Sequence, residues 1–318
     1  MQHEYSDDIP PQQDQPRYPP GLRPPAPRSE SGGPGAGPGD EPPLGQMVGS
    51  DPQVQQPRPT VRLELPDTKP IFTYILLGLI VVIYLAGLVI PVEPGTVIRG
   101  YAITSGEEWM IIQGAKINEY ILQNGEYWRL LTSMFLHGGI AHVFFNGWAL
   151  YVIGMGIERM YGHARFLLIY FLGGLTASIA SMMLSPDSIS VGASGAIFAI
   201  FGAEMVFLYR HRQLFGRLAQ ARLNNLVMLL LLNLFIGLMG SNFIDNWAHV
   251  GGFLAGTALA WFIGPQLTPQ LQSLRSGDTP DQERIVRLED KNPLQGRLFV
   301  PFLWAAVLVA VVSVFAAL

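Results

Sequence analysis

One serine, two histidines and an asparagine have the residue types and spacing needed for acyl transfer. Ser194 lies in the stretch GASG, His142 and Asn146 are four residues apart, and His249 begins the stretch HVGGFLAG. A serine hydroxyl attacks a carbonyl only when a base takes its proton, and imidazole is the base suited to neutral pH. Ring, amide and backbone N–H groups can stabilise the oxyanion that forms. The pattern therefore predicts a serine nucleophile with a histidine base.

These residues lie in long uncharged runs that predict membrane-spanning helices. At about 1.5 Å per residue, about 20 apolar residues cross a hydrocarbon core of about 30 Å. The runs cover residues 71–90, 140–157, 164–184, 194–209, 223–240, 247–264 and 298–318. The sequence therefore predicts an all-α polytopic membrane protein, a compact six-helix bundle with a seventh helix at its C-terminal end.

Small residues follow the serine and one histidine at helical spacing. They are Gly195, Ala199 and Gly202 after the serine, and Gly252 and Gly256 after the histidine. Such stripes allow membrane helices to approach closely, which would bring His249 to Ser194. Phe198 lies on the same helix face as Ser194 and could stack on the ring of His249. Gly192, just before the predicted helix, completes the set of supporting residues.

Composition divides the chain into four parts. Residues 1–68 are rich in Pro, Gly, Gln and Asp, and the first 70 residues hold 17 of the 25 prolines. Such a segment buries too little apolar surface to offset the entropy of ordering it, so we expect a disordered tail. Its proline pairs could bind a partner as polyproline II. Residues 69–264 form the predicted helical core, 265–297 a cytoplasmic linker, and 298–318 the seventh helix.

Basic residues predict the orientation in the membrane. They follow the second, fourth and sixth predicted spans, for example Arg159, Arg210 and Arg275, whereas loops 185–193 and 241–246 carry none. Loops rich in Lys and Arg stay on the cytoplasmic side. We therefore expect a cytoplasmic N-terminus, and the polar residues described above then fall at one depth near the outer face.

Composition and motifs exclude several other classes of protein. The chain has no cysteine, which excludes disulfide scaffolds and thiolate sites. The chain has 20 basic and 24 acidic residues, which excludes a strongly basic nucleic-acid-binding protein. The stretch GASGA lacks the last glycine of the nucleophile elbow, and no His-Glu-x-x-His or phosphate-loop motif is present. We expect no metal, nucleotide or other cofactor.

The motifs resemble those of the rhomboid intramembrane serine proteases over residues 71–264. The matching stretches are GASG (192–195), AHVGGFLAG (248–256), HGGIAHVFFN (137–146), Tyr127-Trp128-Arg129, and Glu158 with Gly162. The resemblance implies a Ser194–His249 dyad without an acidic third member. It also implies oxyanion stabilisation by His142, by Asn146 and by the backbone of Ser194.

The resemblance implies an endopeptidase that cleaves transmembrane proteins near the outer face of the membrane. We expect this to be the plasma membrane, because no organelle-targeting segment is visible in the sequence. We expect an outward-open cavity in contact with membrane lipid, gated in part by the fifth span and by loop 241–246. Two alternatives remain: a catalytically silent rhomboid-like protein that binds membrane clients, and a transporter with Ser194, His142 and His249 along its path.

Other polar residues receive structural interpretations. We expect His137 to order the first loop, and Trp128 with Arg129 to anchor that loop at the membrane interface. Glu158 is expected to pair or cap locally at the cytoplasmic end of the second span. Asp245 is expected to cap the helix that carries the histidine base.

Overall fold

The structure, a computed structural model, describes residues 61–64, 67–240, 244–271 and 284–317. The tail predicted to be disordered, residues 1–68, lies outside the described residues except for 61–64 and 67–68. Part of the loop predicted to act as a gate, residues 241–243, also lies outside them. The described chain is mostly helical, and its strands are short.

Each predicted span coincides with helix in the structure. In chain order the helices are α1 (Ile71–Val89), α2 (Gly106–Gly114), α3 (Asn118–Gln123), α4 (Arg129–Thr132), α5 (Ile140–Ala149), α6 (Met155–Tyr161), α7 (His163–Leu184), α8 (Ser194–Arg210), α9 (Arg212–Met239), α10 (Asn246–Ile263) and α11 (Phe299–Ala317). A π-helical turn, Leu150–Gly154, joins α5 to α6. Helix α9 starts well before predicted residue 223 and is kinked at Gly216, whose φ is 53°.

Within the described residues, five helical segments are long and apolar enough to cross a membrane. They are Ile71–Val89, Ile140–Tyr161, His163–Leu184, Arg212–Met239 and Leu294–Ala317. Helix α8 has 17 residues, most of them buried, and α10 begins with polar residues. Long apolar helices satisfy their own backbone hydrogen bonds, as the hydrocarbon region requires. The chain is therefore an all-α polytopic membrane protein.

Helix α8 lies at the centre of the helical core, packed between α7 and α10. Residues 195–203 are buried on every side, as expected of a helix enclosed by others. A Cβ atom on Gly252 would overlap the carbonyl oxygen of Gly195, and one on Gly256 would overlap that of Ala199. The two stripes of small residues therefore face each other, and glycine allows the backbones of α8 and α10 to touch.

The long first loop is folded around a buried arginine. Arg129 is fully buried, and its Nε donates to Glu126 Oε2 at 2.6 Å. Its Nη1 donates to the carbonyl oxygens of Ile112 and Ala115, each at 3.0 Å. The prediction that Arg129 anchors the loop at the interface is therefore wrong. A guanidinium can be buried when a carboxylate and carbonyl groups match its donors. Its neighbour Trp128 is 55% exposed.

Glu158 caps a helix that is distant in sequence. Its buried carboxylate accepts hydrogen bonds from the backbone N–H groups of Phe72 (2.9 Å) and Thr73 (2.7 Å) in the first turn of α1. It also lies 2.6 Å from Nδ1 of His163, which is a local pair. The N-terminal N–H groups of a helix lack intrahelical partners and attract negative charge. Glu158 thus joins α1 to the end of α6, a longer-range role than the sequence predicts.

Short strands occupy segments where the sequence predicts none. They are β1 (Val61–Glu64), β2 (Val97–Ile98), β3 (Tyr101–Ala102), β4 (Leu267–Leu271) and β5 (Arg284–Asp290). Strand β5 pairs antiparallel with β4 and parallel with β1, and β2 pairs antiparallel with β3. From Val286 to Glu289 apolar and polar residues alternate in β5, and Val286 and Leu288 are buried on one face.

The sheet is attached to the helical core by polar contacts. Arg165 Nη2 donates to Asp290 Oδ2 at 2.7 Å, and the N–H of Leu267 donates to Nε2 of His211 at 2.9 Å. The segment 265–297 is therefore folded against the helices where it is described.

Candidate active site

Ser194 is the first residue of α8, directly after a sharp backbone turn. Gly192 has φ 122°, a conformation that favours glycine, and its N–H donates to the carbonyl oxygen of Ser133 at 2.8 Å. The N-cap residue, Ala193, makes no side-chain cap. Because a helix leaves its first N–H groups without intrahelical partners, the backbone around Ser194 offers donors to an anion.

Helix α10 places His249 directly against the serine. The distance from His249 Nε2 to Ser194 Oγ is 2.8 Å, which is a hydrogen bond between residues 55 positions apart. The contact between Gly252 and Gly195 lies one turn away and sets how close the two helices come. The structure therefore brings together the residues predicted to be nucleophile and base.

The ring of His249 is held by packing. Phe198 stacks on it with ring centroids 4.4 Å apart and an interplanar angle of 15°. His249 Nδ1 is buried, and among the described residues it has no hydrogen-bond partner. Within that part of the chain no carboxylate orients the imidazole, and the flat face of Phe198 supplies the orientation.

Two side chains from α5 lie opposite the serine. A Cβ on Gly192 would be 2.7 Å from Nε2 of His142 and 3.6 Å from Nδ2 of Asn146, so both groups lie against the backbone before Ser194. Asn146 Nδ2 also donates to the carbonyl oxygen of His142 at 3.2 Å. All four residues that the sequence predicts to take part in the chemistry therefore lie close together in the structure.

His137 supports this side of the site. Its ring meets that of His142 edge to face, with centroids 5.0 Å apart. Burial, with a smaller effect from neighbouring His142, lowers the pKa of His137 to about 4. His137 is therefore neutral at physiological pH and acts as a packed aromatic group between the first loop and α5.

Asp245 caps the helix that carries His249. Its Oδ1 accepts from the N–H of Ala248 at 3.0 Å, which confirms the predicted capping role. Its other oxygen, Oδ2, accepts a hydrogen bond from Ser181 on α7. The second contact was not predicted, because Ser181 lies 64 residues earlier and a lone serine in a span carries no signal. Asp245 therefore fixes the start of α10 both locally and against α7.

A cavity of about 450 Å³ opens beside the serine and histidine. Helices α5, α7, α8 and α10 form most of its wall, and α9 contributes one polar residue, Asn233. The cavity is large enough for a short stretch of extended peptide. The sequence did not single out Asn233, although it interrupts the apolar C-terminal half of α9.

Lys116 links two loops next to the site, a role that the sequence did not suggest. Its side chain is fully buried, and Nζ donates to the carbonyl oxygens of Ser185 (2.8 Å) and Ser188 (2.9 Å). The backbones of Lys116 and Ser190 also pair through two hydrogen bonds. The available signal was a lysine in a loop on the side of the membrane that is otherwise poor in basic residues. Burial lowers the pKa of Lys116 to about 8, and Asp245 and Asp187 partly oppose this shift.

Replacing Lys116 with methionine is expected to lower the free energy of unfolding by about 2 kcal/mol, because two partly buried carbonyl groups lose their donor. The cleavage that the sequence predicts should slow about fivefold, because the loop of Ser185 and Ser188 also carries Gly192. Between about pH 8 and pH 10 the unfolded chain binds more protons than the folded one, so wild-type stability rises with pH there. The variant should lack this rise.

Denaturant unfolding at several pH values measures the free energy of unfolding and its dependence on pH. Lys291→Met is the matched control, because the Lys291 side chain is 49% exposed. Equal stability of the two variants at pH 7 would contradict the structural role assigned to Lys116.

Glu204, to which the sequence assigns no role, lies away from the dyad. Arg222 on α9 donates through Nε to Glu204 Oε1 at 2.7 Å. This ion pair joins α8 to the N-terminal half of α9. Among the described residues, no cluster of three or more His, Asp or Glu side chains could hold a metal ion.

Fold and site together define a polytopic helical membrane protein that encloses a serine–histidine pair within its helical core. A family model described as the Rhomboid domain matches residues 124–266, which contain the serine, both histidines and the asparagine. The putative rhomboid protease YdcA of Bacillus subtilis is 36% identical over 139 residues, covering 43% of this chain and 68% of the relative. The chain belongs to the rhomboid family.

Other relatives extend the comparison to longer proteins. Rhomboid protease GluP of Bacillus subtilis is 39% identical over 210 residues, or 66% of this chain and 38% of the relative. The chloroplastic RHOMBOID-like protein 9 of Arabidopsis thaliana is 35% identical over 204 residues, or 64% of this chain and 45% of the relative. The chain therefore spans less than half of the length of these two relatives.

Proposed function

We propose that this protein is an intramembrane serine endopeptidase that cleaves transmembrane segments of other membrane proteins. The observation that carries the proposal is the 2.8 Å distance between His249 Nε2 and Ser194 Oγ, beside a cavity among membrane helices. This is the spacing at which imidazole can take the hydroxyl proton. Similarity to relatives named as proteases supports the same activity.

The proposed reaction starts when Ser194 Oγ attacks the carbonyl carbon of the scissile peptide bond and its proton moves to His249 Nε2. The resulting imidazolium then protonates the leaving amine, and the C–N bond breaks. The acyl-enzyme remains on Ser194. Water, activated by His249 as a base, attacks the ester carbonyl and releases the carboxylate product.

Oxyanion stabilisation is assigned to three groups around the serine. The backbone N–H of Ser194 is at the positive end of α8, and the side chains of His142 and Asn146 lie on the facing helix. Donors already in place cost no reorganisation when the negative charge develops. The arrangement supports acyl transfer better than it supports a transport path, which needs no oxyanion site.

The position of cleavage follows from the proposed orientation. Basic loops put the N-terminus in the cytoplasm, so α8 starts near the outer face with Ser194 at its first turn. Substrates would therefore be transmembrane proteins cut near their outer end, in the plasma membrane. Helix α9 is exposed along most of its length, which fits its proposed part in gating the cavity from the lipid.

One alternative is a protein that has the same fold and no protease activity. The Arabidopsis relatives are named only as RHOMBOID-like, which leaves room for a protein that binds membrane clients without cutting them. The intact serine and histidine in this chain favour the protease.

Two measurements on the purified protein in lipid bilayers test the proposal. A helical transmembrane substrate with small residues near its outer end should be cleaved, and a fluorophosphonate should label Ser194 as mapped by peptide mass spectrometry. Binding of several substrates without cleavage of any would favour the client-binding alternative. Cleavage with the label on another residue would show that the site is wrongly assigned.

A further inference from the structure

The outer half of α9 contains a single strongly polar side chain. Residues 226–239 read LVMLLLLNLFIGLM, and Asn233 is exposed on the helix surface. It lines the same cavity as Ser194 and His249. An amide among lipid-facing residues is unfavourable unless it finds polar partners, so its position calls for a function.

Packing does not account for Asn233, because the contacts that hold α9 against the other helices lie elsewhere, near its middle and near its outer end. Near the outer end Gly237 packs on Asn246, and a Cβ at Gly237 would overlap the amide oxygen of Asn246. Near the middle Leu226 is buried, and Arg222 pairs with Glu204 at 2.7 Å. The stretch between these contacts is largely exposed, and Asn233 within it lines the cavity.

Most of the hydrogen-bonding capacity of Asn233 is unused within the described chain. Its Nδ2 donates to the carbonyl oxygen of Leu229 at 2.8 Å, a bond within its own helix. A primary amide has two donor hydrogens and an oxygen that accepts twice. One N–H group and the Oδ1 atom therefore remain for a ligand in the cavity.

A peptide segment that reaches the serine needs hydrogen-bond partners for its backbone. A peptide bond inside a helix is shielded, so the substrate must unwind before Ser194 can attack it. Unwinding leaves backbone N–H and C=O groups without partners in apolar surroundings. A side-chain amide carries the same donor and acceptor as a peptide group and can pair with both groups of one extended residue.

We infer that Asn233 is a substrate-binding residue that pairs through its side-chain amide with the backbone of the unwound segment. This inference rests on the proposed protease function. Asn233 would bind a peptide group of the substrate and none of its side chains. Recognition at this subsite is therefore independent of the substrate sequence. Because Asn233 lies on α9, the contact also joins the substrate to the helix proposed to gate the cavity.

Asn233→Leu, which preserves side-chain size, tests the inference. We expect kcat/KM for a helical transmembrane substrate to fall about tenfold, with an unchanged rate of fluorophosphonate labelling at Ser194. The matched control is Asn225→Leu, because Asn225 is exposed on the same helix and does not line the cavity. Its kcat/KM should stay within twofold of wild type.

Backbone-modified substrates identify the contact. Peptide N–H groups around the cleavage site are replaced one at a time by ester oxygens. Wild type should lose about tenfold in kcat/KM at one position, and Asn233→Leu should lose nothing further there. Equal losses for both proteins at every position would overturn the inference. So would slower labelling of Asn233→Leu, because Asn233 would then support the site itself.

If the protein is not a Ser194-dependent protease, the experiments give a different result. Wild type would then leave every substrate intact, or Ser194→Ala would cleave as well as wild type. An active, Ser194-dependent enzyme that is indifferent to Asn233→Leu would overturn only the present inference.

Discussion

Replacing Ser194 with alanine is expected to reduce cleavage of a helical transmembrane substrate by about 10⁴-fold or more. Alanine removes the only atom, Oγ, that can form the acyl-enzyme, and leaves the small residues around it unchanged. The measurement is product formation by the purified variant in bilayers. Ser313→Ala on α11 is the matched control, because Ser313 is exposed and does not line the site cavity.

His249→Ala is expected to lower the same rate by about 10³-fold, the order of loss for a general base. Fluorophosphonate labelling of Ser194 should fall with it, because both reactions need the hydroxyl proton removed. Retention of wild-type cleavage by either variant would show that Ser194 and His249 are not the dyad. Loss of activity in the Ser313 control would point to a folding defect.

Gly252→Ala is the third variant with a large expected effect. Its new Cβ would overlap the carbonyl oxygen of Gly195, a backbone atom that can move only with its helix. Helices α8 and α10 should therefore separate, which lengthens the 2.8 Å contact between His249 and Ser194. A displacement of about 1 Å costs about 100-fold in rate, and overpacking costs about 2 kcal/mol of stability.

Cleavage rate and thermal unfolding measured on the same sample separate these two effects. Gly78→Ala on α1 makes the same chemical change in a helix, and a Cβ there meets no atom within 4 Å. The control should keep wild-type activity and stability. A Gly252→Ala protein with normal cleavage would contradict the close backbone contact of α8 and α10.

The helical architecture could be predicted from the sequence because its cause is local. An uncharged run long enough to cross hydrocarbon satisfies its backbone only as a helix, so each predicted span became helix in the structure. Strand β5 could not be predicted in this way. Its alternating pattern is short, and its pairing with β4 and β1 depends on residues far away in the chain.

For the same reason, only some of the polar contacts around the site could be predicted. Capping by Asp245 was predictable, since its partner Ala248 is three residues away. The buried environment of Arg129 and the long-range partners of Glu158 were not, because only folding places carbonyl groups and N–H groups around them. Lys116 and Asn233 appear in the sequence only as polar residues in unexpected segments.

The sequence by itself determined the chemical inventory of the proposed site: a serine, two histidines, an asparagine, and the helices that carry them. Tertiary structure alone decided the 2.8 Å distance between His249 and Ser194, the stacking of Phe198, and the position of Asn233 at the cavity. The physical reason is packing. Where helices meet depends on atoms from both of them, and Gly252 meets Gly195 only after residues 57 positions apart are brought together.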